Sequence, residues 1–150
     1  RVTGLSESAM RKRIFTCRPT SPAEEAPCAR SIVTRLAAVA YRRPLEAREV
    51  DGLMQFYQGG RSRGGFEGGV REAIEAILAS PHFIFRLERQ PARVRPGAAY
   101  RVGDFELASR LSFFLWGAPP DEALRTAAAK GELTAPGGLE RHARRMLADP

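Results

Sequence analysis

The sequence predicts an all-α protein built as two small helical subdomains, about three helices each, joined by a Pro/Arg-rich linker. Apolar residues recur three and four positions apart in successive stretches, the spacing that lines one face of a helix. Each stretch is bracketed by residues that start or stop helices, and alternating apolar and polar runs are almost absent. Between Gln90 and Ala99 the chain holds two prolines, a glycine and two arginines with no apolar period, which marks one internal boundary.

Residues 1–15 are polar and basic, and read as a linker or the tail of a preceding domain, with a short strand at best at Ile14-Phe15. Ser21-Pro22-Ala23-Glu24 has the order of a helix start: a capping hydroxyl, proline at the first helical position and a carboxylate three residues on. Pro27 is expected to delay the regular helix to about that point. Beyond it Ile32, Val33, Leu36, Val39 and Ala40 form an apolar face, and Arg43-Pro44 ends the helix. A second helix, about Leu45 to Gln58, uses Val50, Leu53, Met54 and Tyr57 and stops at Gly59-Gly60. After a glycine-rich loop, Phe66, Val70, Ile74, Ile77 and Leu78 define a third helix to Ala79, with Glu67 and Arg71 spaced as a surface ion pair worth ~0.3 kcal/mol.

Ser80-Pro81 breaks that helix, and Phe83 to Phe85 read as a short helix or docked turn. After the linker at 90–99, Asp104 is expected to cap a helix that buries Leu107, Ala108, Leu111, Phe114 and Leu115 and ends at Trp116-Gly117. Another opens at Pro119-Pro120-Asp121 and closes at Gly131. The last opens at Thr134-Ala135-Pro136 and uses Leu139, Ala143, Met146 and Leu147. Six helices result, grouped as a domain over 16–89 and the N-terminal part of a second over 100–150.

Composition limits function more than it assigns it. With 150 residues and 43% apolar content the chain can build a core, which removes disorder as the default. The uncharged stretch Leu111 to Pro120 is about half as long as a membrane span and carries two prolines and a glycine, so no membrane span is expected. Lys12 and Lys130 are the only lysines among 24 basic residues, and asparagine is absent. The net charge of +7 therefore reflects an arginine bias that suits GC-rich coding as well as a phosphate-binding surface, and nucleic acid is not an expected partner. The chain opens at Arg1 and stops soon after an amphipathic stretch. It reads as a segment of something longer, for which the lack of a leader says nothing about localisation.

The chemical motifs are few. Gly60-Arg61-Ser62-Arg63-Gly64 matches the G-x-S-x-G of a hydrolase nucleophile elbow, but an elbow needs a strand before the serine, and here a helix precedes it. The Arg63-Gly64-Gly65 within it occurs once, without repeated aromatics, and the stretch lacks the lysine of a phosphate loop. His82 sits among apolar residues as a packed histidine would, and His142 lies among arginines on a polar face. Carboxylates are scattered singly, and no two stand out as general acid and base. Cys17 and Cys28 have no histidine near them and cannot build a local zinc site. They are either a disulfide or two unrelated buried thiols. A bridge would staple the lead-in onto the domain, worth roughly 3 kcal/mol in the chain-entropy model, and would imply an oxidising compartment.

Taken in order, the strings Arg13 to Pro19 (RIFTCRP), Cys28 to Arg30 (CAR), Ala40 to Pro44 (AYRRP), Gly65 to Glu67 (GFE), Ser80 to Arg86 (SPHFIFR) and Glu106 to Trp116 (ELASRLSFFLW) resemble Planctomycete-specific domain five followed by the start of domain four. Arg144 to Pro150 (RRMLADP) fits as well. The resemblance implies a large secreted protein, often with a cytochrome-c-like domain nearer the N-terminus, a setting that agrees with a Cys17 to Cys28 disulfide and an extracytoplasmic location. It carries no established catalytic, cofactor or metal residues to any position here, and it places haem, where there is haem, in other domains of the parent chain. The leading expectation is a helical scaffold or interaction segment whose partners are other domains of the same polypeptide or other proteins. The alternative is part of an extracytoplasmic enzyme whose site is completed beyond Pro150, with His82, Arg86 and Glu88 converging in a cleft.

Overall fold

Every regular element among the described residues is a helix in the computed structural model, which describes residues 8–88, 94, 95 and 97–149. Residues 1–7 and, within the expected linker, 90–93 and 96 lie outside the described residues. The chain divides into two compact units, Arg1–Ala40 with Pro44–Ile84 and Tyr41–Arg43 with Phe85–Pro150.

In the first unit a helix stands where a linker and short strand are expected. The amide of Arg11 donates to the Ser8 hydroxyl at 3.1 Å and opens α1 (Ala9–Ile14), which contains no buried residue. A helix this short does not form alone. It is held from outside: the Arg35 guanidinium donates to the carbonyls of Arg13 and Ile14 at 2.7 and 3.0 Å, and Arg11 pairs with Glu67. The Phe15 ring also packs on Phe66, with centroids 6.2 Å apart.

Helix α2 (Pro22–Ala40) starts at Pro22 and runs straight through Pro27, which does not delay it. Proline removes the amide that would bond to the Ala23 carbonyl, but both residues are exposed and water can satisfy that carbonyl. The Thr20 amide and hydroxyl donate to the Glu24 carboxylate at 2.8 and 3.0 Å, and these bonds hold Glu24 below its ordinary value. Cys17 and Cys28 form a disulfide, with Cα atoms 5.9 Å apart, which ties the lead-in to the second turn of α2.

The second and third expected helices are two arms of one bent element, α3 (Ala47–Ala79). Gly59-Gly60 does not stop the first arm, and helical geometry is lost only at Gly64 and Gly65, where Gly65 takes φ 64° and ψ −163°. An L side chain rarely adopts that conformation, so the bend needs glycine there. The other glycines serve the approach of the two arms. A Cβ on Gly60 would lie 2.5 Å from the Gly68 carbonyl oxygen, and one on Gly69 2.6 Å from the Tyr57 carbonyl oxygen. The core forms where Ala29, Ile32, Val33 and Ala37 of α2 meet α3 at Val50, Leu53, Met54 and Tyr57. Small Ala29 and Ala37 narrow the buried stripe, and Val39 and Leu78, expected inside, are 38% and 49% exposed. The expected Glu67–Arg71 pair does not form, because Glu67 takes Arg11 and Arg71 lies 3.7 Å from Glu75.

This arrangement makes opposite predictions for two helical glycines. Gly69→Ala is expected to destabilise the first unit by about 1–3 kcal/mol through overpacking against backbone. Gly52, with nothing within 4 Å of a built Cβ, should become more stable as alanine, by up to about 1 kcal/mol. Urea unfolding followed by circular dichroism measures both.

The short α4 (Pro81–Ile84) follows Ser80 and closes the first unit. In the second unit α5 (Asp104–Trp116) packs against α6 (Glu122–Ala129) and α7 (Gly138–Leu147). Its core is Ala108, Leu124, Ala127, Ala128, Leu133 and Met146. Gly117 ends α5 at φ 63°. Two expected helix starts differ. Gly103, not Asp104, occupies the cap of α5, and α7 begins at Gly138 after Gly137 at φ 72°, not at Thr134. Both differences have one cause. The amides of Leu133 and Thr134 donate to Asp104 Oδ1 at 2.8 and 3.1 Å, and the Thr134 hydroxyl donates to Oδ2 at 2.7 Å. Asp104 thus fastens the segment between α6 and α7 to the start of α5.

Candidate interaction surface

Ser62 and the arginines around it are engaged in holding the fold, whereas His142 is half-buried with no hydrogen-bond partner at Nδ1. Ser62 lies inside α3, exposed, and its hydroxyl donates to the Gly59 carbonyl at 2.8 Å, so the G-x-S-x-G match is a stretch of helix ending at the bend. The neighbouring arginines brace that bend: Arg61 bonds Glu25 at 2.5 Å, and Arg63 pairs with Glu72. Burial, reinforced by the nearby Glu25 carboxylate, pushes the enclosed Tyr57 phenol above its usual value.

His82, Arg86 and Glu88 are each engaged within their own unit. His82 Nε2 lies 3.7 Å from Glu49 Oε1 in the first unit. In the second, Arg86 stacks 4.9 Å above the Phe113 ring. Glu88 accepts two bonds from Arg110, at 2.6 and 2.5 Å. The Arg110 bonds, against a smaller opposing effect of burial, hold the Glu88 carboxyl below its ordinary range, and the charge of Arg86 adds to this. Arg42 is buried with its backbone at φ 60° and donates to the Phe85 carbonyl at 2.9 Å; burial and then Arg86 lower its pKa. No cluster of three or more metal-ligating side chains is present among the described residues.

A second knot stabilises the α5–α7 corner. Asp121 caps α6 by accepting from the Leu124 amide at 2.8 Å, and it also takes two bonds from Arg145, at 2.8 and 3.1 Å. Arg145 lies 5.6 Å from the centre of the Trp116 ring, and the Trp116 indole donates to the Met146 carbonyl at 3.1 Å. Burial by itself raises the Asp121 pKa, but the Arg145 and Leu124 bonds with the charges of Arg145 and Arg125 outweigh it and the net shift is downward. A carboxylate with a lowered folded pKa contributes stability above its unfolded value of about 3.9, and that contribution is lost as pH falls through the folded value. Acid titration of Trp116 fluorescence is therefore expected to show weakening of the second unit below about pH 4, and Asp121→Asn should reduce that pH dependence.

One exposed face of this unit is apolar. Phe114, expected in the core, is 84% exposed. The buried face of α5 is instead the small set Ala108, Ser109 and Ser112, which lets α6 approach closely. Leu107, Leu111 and Phe114 follow at i, i+4 and i+7, and Leu139 on α7 is 39% exposed beside them. A groove of about 810 Å³ runs between α5 and α7, lined by Val102, Leu133 and Ala143 among others. A second depression of about 490 Å³, reaching Phe113 and Phe114, shares Leu107, Leu111 and Leu139 with it as walls, so the two are adjacent. Its signal was present in the sequence as an apolar stripe, but periodicity does not say which of two faces is covered.

Residues 28–88 are similar to the family described as PSD5, Protein of unknown function (DUF1595), and residues 102–150 to PSD4, Protein of unknown function (DUF1592). The second match covers α5, α6 and α7, and so includes both helices that flank the groove. No curated protein and no solved structure matches the chain.

Proposed function

We infer that this chain, which belongs to the PSD5 family over residues 28–88 and to PSD4 over 102–150, is a helical interaction segment of a large exported protein. The observation that carries the reading is the exposed Phe114 in an apolar depression adjoining the α5–α7 groove, in a unit whose acidic and basic side chains brace its own helices. Single exposed apolar side chains are ordinary, but an aromatic that adjoins Leu107, Leu111 and Leu139 in one patch marks a surface that meets something. The Cys17–Cys28 disulfide supports an oxidising, extracytoplasmic setting, and no described helix is long and apolar enough to cross a membrane. Electron transfer of the cytochrome c type, on this reading, belongs to other domains of the parent chain, with this segment helping to position them.

Phe114→Asp separates folding from interaction. Because the ring is 84% exposed, the substitution should leave the unfolding midpoint of the second unit within the effect of about 0.5 kcal/mol typical of surface changes. In the whole exported protein it should make the parent chain more readily cleaved by protease. Unchanged protease resistance would argue against the reading.

A further inference from the structure

The interaction reading can be deepened at the groove itself, on which this inference rests. We propose that the α5–α7 groove docks an acidic amphipathic helix, with apolar residues at i, i+3 or i+4 and i+7 against Leu107, Leu111, Phe114 and Leu139, and with carboxylates flanking that stripe. The shape fits a rod. The depression lies between two helices of 13 and 10 residues, and at 1.5 Å per residue α7 alone offers a track of about 15 Å, close to three turns of a bound helix.

Charge selects the sign of the partner. Four ionised side chains line the two depressions: Arg86, Arg101, Arg110 and Glu140. Glu140 is matched by Arg144 at 2.7 Å, and Arg110 by Glu88. Arg101 donates to the Thr134 carbonyl at 2.7 Å, and Arg86 lies over Phe113; among the described residues neither has a carboxylate within 4.0 Å. The rim therefore keeps two net positive charges, one at either depression. Carboxylates flanking an incoming apolar stripe would meet both.

The test uses the full chain of 150 residues and a synthetic 18-residue helix with leucines at the stated spacing and glutamates beside them, with a lysine-for-glutamate twin as control. Trp116 fluorescence and calorimetry read binding. The acidic peptide should bind with a Kd of tens of micromolar, roughly the affinity of a small groove contact. The twin should bind about tenfold or more weakly. Phe114→Asp should weaken the acidic peptide by about tenfold or more, as loss of an aromatic anchor does. Arg86→Gln with Arg101→Gln keeps the donors, removes the charge, and should abolish the preference for glutamate over lysine. Equal binding of both peptides, or binding indifferent to Phe114→Asp, would overturn the proposal. So would stronger binding to vesicles of anionic lipid than to the peptide, or self-association of the chain that Phe114→Asp disperses. In the last two cases a groove that docks something else survives and only its occupant is wrong. Absence of every one of these interactions, with Phe114→Asp also silent in the whole protein, would remove the interaction reading itself.

Discussion

Asp104→Ala is expected to lower the stability of the second unit by about 3 kcal/mol or more. One carboxylate accepts the amides of Leu133 and Thr134 and the hydroxyl of Thr134. Hydrogen bonds to a charged group contribute about 1.5–3 kcal/mol each, and amides left without a partner away from water add their own desolvation cost. The three are not additive, since they hold one segment, so the expected figure lies below their simple sum and near the value of two such bonds at about 1.5 kcal/mol each. Leu133 is buried, and its place in the core depends on that segment staying down. Asp104→Asn should lose roughly half as much, because an amide oxygen can still accept from both backbone amides while the charge is gone. The single tryptophan, Trp116, lies in this unit, so its fluorescence in urea follows the transition directly. A loss under about 1 kcal/mol for Asp104→Ala would show that the α6–α7 connection holds without it.

Removing the disulfide is expected to weaken the first unit by a similar amount. Cys17 and Cys28 are 11 positions apart, and closing a loop of that size restricts the unfolded chain by roughly 3 kcal/mol in the entropy model. Cys17→Ser with Cys28→Ser should therefore shift the urea midpoint down, and a dithiol reductant should move the unsubstituted protein by the same amount while leaving the double variant where it is. The lead-in should loosen first. Helix α1 has no buried residue, and it depends on Arg35, Glu67 and Phe66 for its position. Proteolysis between Arg11 and Arg18 is the expected sign. A double variant as stable as the parent would mean that those side chains hold the lead-in unaided.

The helical class and most helix positions were legible because the signal is local. Ile32, Val33, Val50, Leu53, Met54 and Tyr57 recur at helical spacing and are buried. Gly117 and Gly131 stop helices with positive φ, as a glycine after a periodic run implies. What was not legible depends on contacts distant in sequence. Helix α1 lacks periodic apolar residues and forms through Arg35 and Glu67. Gly60 reads as a stop, yet it is the point where two helical arms touch, a role visible only once Gly68 is placed beside it. Asp104 reads as a cap for its own helix, but its acceptors face a segment 29 and 30 residues away.

The candidate surface shows the same limit from the other side. Leu107, Leu111 and Phe114 have the spacing of a core face, and so does Leu139 with Ala143. Small Ala108, Ser109 and Ser112 are the ones buried, because close helix packing favours them over bulk. A stripe of large apolar residues left outside is therefore the feature that sequence periodicity assigned to the interior. Ser62, His82 and the arginine-rich stretch at the α3 bend carried the chemical expectations, and each is engaged in a local contact of the fold.

Hydroxyl-radical footprinting of Phe114 in the longer exported protein that the proposed function calls for, set beside the same residue in this 150-residue chain, tests the central claim most directly. The account predicts that Phe114 oxidises rapidly in the chain alone and is protected in the whole protein, while Arg48, with its side chain 83% exposed on the first unit, reacts alike in both. Equal oxidation of Phe114 in the two would contradict it.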